Sequence, residues 1–192
     1  WSFVGGGGND EEGYGNKAFA DFSAILGGSI NTAGDPNLLD HAVGIYSTVS
    51  GGSQNSTSNW AASVNGGYQN TASGQYASVS GGRNNQALGN FSFIGGGGDE
   101  MPAYGNYAVG NYSAILGGSL NTAGDSNHTD TTIGPGSSVC GGQRNTASGS
   151  YSSVSGGFIN TASGAWSSIS GGNSRSVTGF DDWAAGALFQ DN

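Results

Sequence analysis

Residues 145–174 read NTASGSYSSVSGGFI followed at once by NTASGAWSSISGGNS, and the same frame opens at Asn70 as NTASGQYASVSGG. Two short segments recur in it. One is Asn-x-Ala-x-Gly, as in Asn160, Ala162 and Gly164. The other is Ser-x-Val-x-Gly-Gly, as in Ser152, Val154, Gly156 and Gly157. In a strand every second side chain faces the same way. Ala and Val are therefore expected to point inward, and the intervening Thr and Ser outward. A short fixed period marks stacked repeats, each burying its apolar side against the next.

Working outward, the β-branched residue before each -x-Gly falls at Val4, Ile25, Val49, Val64, Val79, Ile94, Ile115, Val139, Val154 and Ile169. The steps are 21, 24, 15, 15, 15, 21, 24, 15 and 15. Every matched pair lies 90 residues apart, Val4 with Ile94 and Asp35 with Asp125 alike. The chain thus reads as one all-β parallel β-solenoid, or β-roll, of about 15-residue coils with an internal duplication. Residues 1–90 form the first five-coil unit, 91–180 the second, and 181–192 a partial repeat or C-terminal cap. Coils stacked at strand spacing give a rod of roughly 48 Å for ten coils.

Two columns look structural. Two residues past Val79 and Val154 stand Gly81 and Gly156, and every other coil has Gly there. The expectation is that a side chain at that place meets the opposite wall, or that the backbone needs a conformation cheap only for Gly. Two residues before the Ala position stands Asn, as in Asn70, Asn145 and Asn160, with Arg175 in that place near the C-terminal end. Stacked amides that bond one another along the axis would form an inner corner ladder.

Composition agrees with order by repetition. Gly supplies 39 of the 192 residues and only 9% are charged, yet 34% are hydrophobic and evenly spaced, unlike a disordered chain. The formal net charge is −9 with four Lys and Arg in all, which argues against a nucleic-acid partner and against an anionic membrane surface. No apolar run is long enough to span a bilayer, so no membrane insertion is expected. No signal peptide is visible, and Trp1 is expected to be a processed or trimmed end. The single Cys140 excludes an internal disulfide framework and reads as a substitute for Ser50, Ser80, Ser155 and Ser170 of sister coils.

The motif Ala147-x-Gly149-x-x-Ser152-x-Val154-x-Gly156, repeated from Ala72 and from Ala162, resembles the head repeats of YadA-like trimeric autotransporter adhesins. It is also similar to bacterial NTASG/SSVSGG repeat arrays whose ends carry a segment like Trp183 to Phe189. The resemblance covers nearly the whole chain. It implies a left-handed roll, a homotrimer, and extracellular display on a bacterial surface. Collagen-binding motifs of that family are missing here, so collagen adhesion is not carried over.

Decoration of the roll is where function is expected. Insertions follow Val4 and Ile94 on one side of the coil, and Ala33 and Ala123 on the other. Acids gather in them: Asp10, Glu11, Glu12, Asp99, Glu100, Asp35, Asp40, Asp125 and Asp130. They read as solvated loop acids. Asp10, Glu12, Asp35, Asp99, Glu100 and Asp125 are the candidates for Ca²⁺, which takes several oxygen ligands, although no EF-hand or nonapeptide spacing appears. His41 and His128 are not equivalent in the two copies, which speaks against a paired metal site. Outward apolar residues concentrate in the inserted coils, among them Phe3, Phe19, Leu26, Leu88, Phe93, Tyr107, Val109 and Leu116. The sequence leaves open whether loops with Leu38 and Leu39 cover them or a second subunit does. Three residues before the apolar mark runs an aromatic column: Trp1, Phe22, Tyr46, Tyr76, Phe91, Tyr112, Tyr151 and Trp166. It is either a stabilising stack or a contact strip for a glycan, host or matrix protein.

An enzyme needs convergent acid, base and nucleophile groups, and here each His is isolated. No enzyme is expected. The leading expectation is a structural or adhesive surface module, with self-association as trimer or end-to-end stack. Ice binding is a second, through the outward columns Thr71/Ser73, Thr146/Ser148 and Thr161/Ser163. A third is a filament subunit stacked end to end, although Trp183, Leu188 and Phe189 of the tail read first as apolar cap residues.

Overall fold

The computed structural model describes residues 1–8, 14–35, 43–99 and 105–186. Within them the chain forms twenty-one strands of two residues each, numbered β1 (Phe3–Val4) to β21 (Trp183–Ala184) in chain order, and no helix. They alternate between two sheets. Odd-numbered strands carry Val or Ile, except β21 with Ala184, and build an eleven-stranded sheet, here called the valine sheet. Even-numbered strands carry mostly Ala and build a ten-stranded alanine sheet. All pairings are parallel and in sequence order, so each coil contributes one strand to each sheet. The ladder crosses the duplication point without a break, Val79 opposite Ile94 and Ala87 opposite Ala108. The expected parallel β-solenoid is therefore present.

The inward residues are those the alternation assigned. Val79, Val154 and their equivalents from Ile25 to Ile169, and Ala33 to Ala162, are fully buried, forming one thin continuous core. A third column, two residues before each Val, is also buried: Ser152 and its equivalents, with Ala62 and Ala77 in two coils. Ser23 and Ser167 donate to the carbonyl three residues back, at 2.6 and 2.7 Å.

The asparagine column exists, but its bonds run mainly to backbone and not from amide to amide. Asn145 shows the pattern. Its Oδ1 accepts from the backbone N–H of Asn160 at 3.0 Å. Its Nδ2 donates to the carbonyl of Gly141 in the same coil at 2.9 Å and of Gly157 in the next at 3.0 Å. Asn70 repeats this with Asn85, Gly66 and Gly82. Asn160 bonds Gly156, Gly172 and the Arg175 N–H. Oδ1-to-N–H links run unbroken from Asn16 to Arg175. Amide-to-amide bonds occur twice, Asn106 to Asn85 and Asn160 to Asn145.

Of the two glycine expectations, the backbone one is met at Gly6, Gly96, Gly156 and Gly171, with φ of 144 to 158, and the wall needs correction. A Cβ on Gly81 would meet nothing within 4 Å, and one on Gly156 only the Gly141 carbonyl oxygen at 3.9 Å. No wall lies opposite these residues. The steric restriction falls on the second glycine of each pair. Gly82 has φ +85, and a Cβ there would overlap the carbonyl oxygen of Gly97 and lie 2.7 Å from Nδ2 of Asn85. The second glycine is therefore the partner that lets the asparagine reach two carbonyls.

Replacing Asn145 by Asp keeps the shape but removes both donors and sets a carboxylate against two carbonyls. Each buried group left unpaired costs about 1–3 kcal/mol. Asn145→Asp and Gly142→Ala should each lower the melting temperature strongly in circular dichroism, whereas the outward Thr146→Ala should change stability by about 0.5 kcal/mol or less. Thr57 occupies the alanine column, fully buried, with its hydroxyl unpaired. Thr57→Val should stabilise by roughly 1 kcal/mol.

Candidate functional site

The aromatic column stands at the corner between the alanine strand and the following valine strand. Each of its residues from Phe22 onward takes the left-handed backbone conformation, φ 56 to 62 for Phe22, Tyr46, Tyr76, Phe91, Tyr112, Tyr151 and Trp166. Bulky L-residues rarely do so. Here the conformation turns the ring out over the next coil. Tyr76 stacks on Phe91 at 4.9 Å between centroids, Phe91 on Tyr112 at 5.1 Å, Phe22 on Tyr46 at 5.5 Å and Tyr151 on Trp166 at 4.4 Å. The column is thus three stacks. It breaks where the corner residue is Ala61 or Gly136. Trp60, one place before the corner, partly fills the first break by packing on Tyr76 at 5.6 Å. The sequence register missed Trp60, because it looked only at the corner position itself.

This geometry decides what the strip can do. Coil spacing puts ring faces against each other, so within a stack only edges and the phenol groups of Tyr46, Tyr76, Tyr112 and Tyr151 face solvent. A sugar ring that needs a free aromatic face finds one only at the ends of a stack. Hydrogen bonding to a row of phenols and edge contact with an apolar strip are open along the whole length. All five residues expected to bind, Tyr46, Tyr76, Tyr112, Tyr151 and Trp166, lie on this one corner and are exposed.

The two sheets differ outside. On the alanine sheet, Val109 is fully buried and the Tyr107 ring stacks on the His128 imidazole at 3.9 Å. His128 belongs to the loop after Ala123, and its ring nitrogen also meets the Thr122 hydroxyl at 3.2 Å. Asp125 holds the loop: the carboxylate accepts from the N–H groups of Asn127, Thr129 and Asp130 and from the Thr129 hydroxyl, at 3.0 to 3.1 Å. The backbone N–H of Asn127, then that of Thr129, pull its pKa down to about 2. Asp130 in turn accepts from the hydroxyl and N–H of Thr132, which lower its pKa in that order. Four bonds from its own loop leave Asp125 little capacity for a Ca²⁺. The backbone carbonyl of Asp99 accepts from Asn84 at 2.8 Å. Asp10, Glu11, Glu12, Asp40, Glu100, Leu38, Leu39, His41, Leu188 and Phe189 lie outside the described residues. Among the described residues no three metal-ligating side chains cluster, and the surface encloses no pocket.

On the valine sheet Phe93 is half-buried, and the other large apolar residues are exposed. Phe3 is 56% exposed, Leu26 58%, Leu116 57% and Trp183 67%. The sequence left loop cover and subunit contact open together; the sheets divide them, at least for Tyr107 and Val109 on one side and Leu26 and Leu116 on the other.

Outward hydroxyls form two blocks on the alanine sheet. Thr146, Thr161 and Ser176 are in register, as are Ser56 and Thr71, so that Ser148 and Ser163, and Ser73, stand in matching second columns. Gln86/Leu88 and Tyr107/Val109 separate the blocks.

In comparisons with known proteins, no protein-family model and no curated protein matches this chain.

His128 is half-buried, and burial lowers its pKa against a smaller opposing effect of the Asp125 charge. The folded loop therefore favours neutral imidazole. Its contribution is full above pH 6.5, the ordinary value, and is lost as pH falls through the lowered folded value. Loop opening, read as loss of near-ultraviolet dichroism from the Tyr107 stack, should set in on acidification below that point. His128→Phe should keep the stack and abolish the dependence.

Proposed function

We propose that this protein is a structural module of an extracellular surface fibre that adheres through its aromatic corner. The observation that carries the reading is the row of exposed ring edges and phenols held in the left-handed conformation on one corner of an otherwise fully stapled rod. A rigid solenoid fixes these groups at coil spacing, so a long ligand can meet many of them at once. The resemblance of the repeat to adhesin heads supports the same reading. The partner it fits is an extended glycan or matrix protein. The role is non-catalytic: Asp125 and Asp130 are engaged by their own loop and His128 by Tyr107 and Thr122.

A second reading, ice binding, is favoured by the block Thr146/Ser148, Thr161/Ser163 and Ser176/Thr178. Its hydroxyls repeat about 4.8 Å between coils and roughly 7 Å along each strand.

The adhesive reading is tested with the full chain on a glycan array and on coated matrix proteins. Binding is expected, and the triple variant Tyr46→Ser, Tyr112→Ser, Tyr151→Ser should weaken it tenfold or more. Its melting temperature should fall only modestly, since each ring pair contributes about 0.5–1.5 kcal/mol. No retention of the native chain on either surface, or undiminished retention of the variant, rejects the reading. Thermal hysteresis that Thr161→Lys abolishes would establish the ice-binding one instead.

A further inference from the structure

We infer that the outer face of the valine sheet is a docking surface for a second copy of this chain, packed face to face as a dimer. This inference is independent of what the aromatic corner binds.

The face differs from the rest of the molecule in charge. The chain carries a formal net charge of −9, yet no outward residue of the valine sheet from Phe3 to Trp183 is charged. The alanine sheet has Lys17 at one end and the acid-bearing loop from Asp125 over its middle. Two acidic copies repel over most orientations. The outward residues of the sheet itself set no like charges against each other when valine sheets face each other.

The face also carries apolar studs in a pattern set by the duplication. Phe3 and Leu26 stand on the adjacent strands β1 and β3 (Ala24–Ile25) or just after them. Phe93 and Leu116 repeat them on β11 (Phe93–Ile94) and after β13 (Ala114–Ile115). Trp183 begins the third repetition on β21. In the eleven-strand order these are strands 1 and 2, 6 and 7, and 11. Groups of studs recur every five strands, roughly 24 Å. Between them stand Ser, Thr, Asn and Cys140, small enough for two sheets to approach.

Reversing one copy about a two-fold axis that runs along the strands between β11 and β13 sets the studs of one copy against small residues of the other, Phe3 alone lying beyond the overlap. Phe93 of each copy then faces Ala114 of the other, Leu116 faces Gly95, Leu26 faces Ala185 and Trp183 faces Ala24. An isologous contact of this kind closes on itself. The face is roughly 50 Å long and about 12 Å wide, so two copies bury about 1,200 Å², the lower end of specific interfaces. The dimer is therefore concentration-dependent. The contrast with the alanine sheet completes the argument: there Val109 is fully buried and the loop's His128 stacks on Tyr107, whereas Leu26 and Leu116 are exposed.

Sedimentation equilibrium of the full chain across a concentration series tests this. The expected result is a reversible passage from 19.0 kDa to twice that mass. Leu116→Lys and Leu26→Lys place a charge where the other copy packs, and should each weaken the dimer on the order of a hundredfold. Both side chains point to solvent in the single chain, so the melting curve should hardly change. Cys140 follows a strand in register with β13, beside Leu116, and gives a readout without mutation: its maleimide labelling should slow as the native chain dimerises. A chain that stays monomeric at every concentration overturns the inference. So does a trimer, or a dimer that both lysine variants and Cys140 labelling leave untouched.

Discussion

Everything in this molecule depends on how one asparagine and one glycine per coil share a corner. The asparagine amide ties three backbone groups across two coils. It can do so only because the second glycine takes a left-handed turn and has no Cβ to fill the gap. A two-residue strand is too short to fix its own register. The staple supplies register from the corner, coil after coil, in a buried place where a missed bond is costly. That is why the strands can be so short and the core so thin. The interior needs only one Val, one Ala and one small residue per coil.

The same corner logic explains a local rule broken twice in most coils. Non-glycine residues take positive φ at the aromatic corner and again just before each asparagine, as at Gln69, Arg144 and Ile159. An isolated peptide would avoid this by roughly 1 kcal/mol or more per residue. The stacked neighbours over-determine it. At the first corner ring packs on ring. At the second Gln69 Nε2 donates to Gln54 at 2.7 Å, and nearby the Arg83 guanidinium lies 4.7 Å over the Tyr68 ring. Strain in one coil is held by the next, which suits a structure stable only as a stack.

What the sequence made legible follows from periodicity. Alternation predicted which residues face inward, and the 90-residue interval predicted a ladder that continues through the duplication. Both depend on spacing alone, and Val79 opposite Ile94 bears this out. The collision expected at Gly81 is missing because spacing identifies a recurring small residue without saying which of two adjacent glycines is confined; the clash belongs to Gly82. The asparagine column was foreseen, but not that its partners are carbonyls. Trp60 escaped because its ring reaches the column from outside the register. The fate of the outward apolar residues was illegible for a different reason: cover by a loop is a tertiary fact. Asp125 and His128 decide it for Tyr107 and Val109, and nothing in the repeat encodes that.

These constraints also say where this chain is free to vary. The staple, the Val and the Ala are committed to holding the coil. A substitution there is read as stability. Outward positions carry no such burden, and it is there that the coils differ: hydroxyls in one block, Leu and Phe in another, a ring or a gap at the corner. Because register is fixed from within, any outward choice is reproduced at a defined spacing along the axis. A duplication of five coils therefore duplicates a surface as well as a fold. The studs at Leu26 and Leu116 are alike because the units are alike. The loops after Ala33 and Ala123 begin with the same Gly-Asp and then diverge in sequence. The two sheets use that freedom differently, one partly covered by the loop that carries His128 and the other with Leu26 and Leu116 exposed.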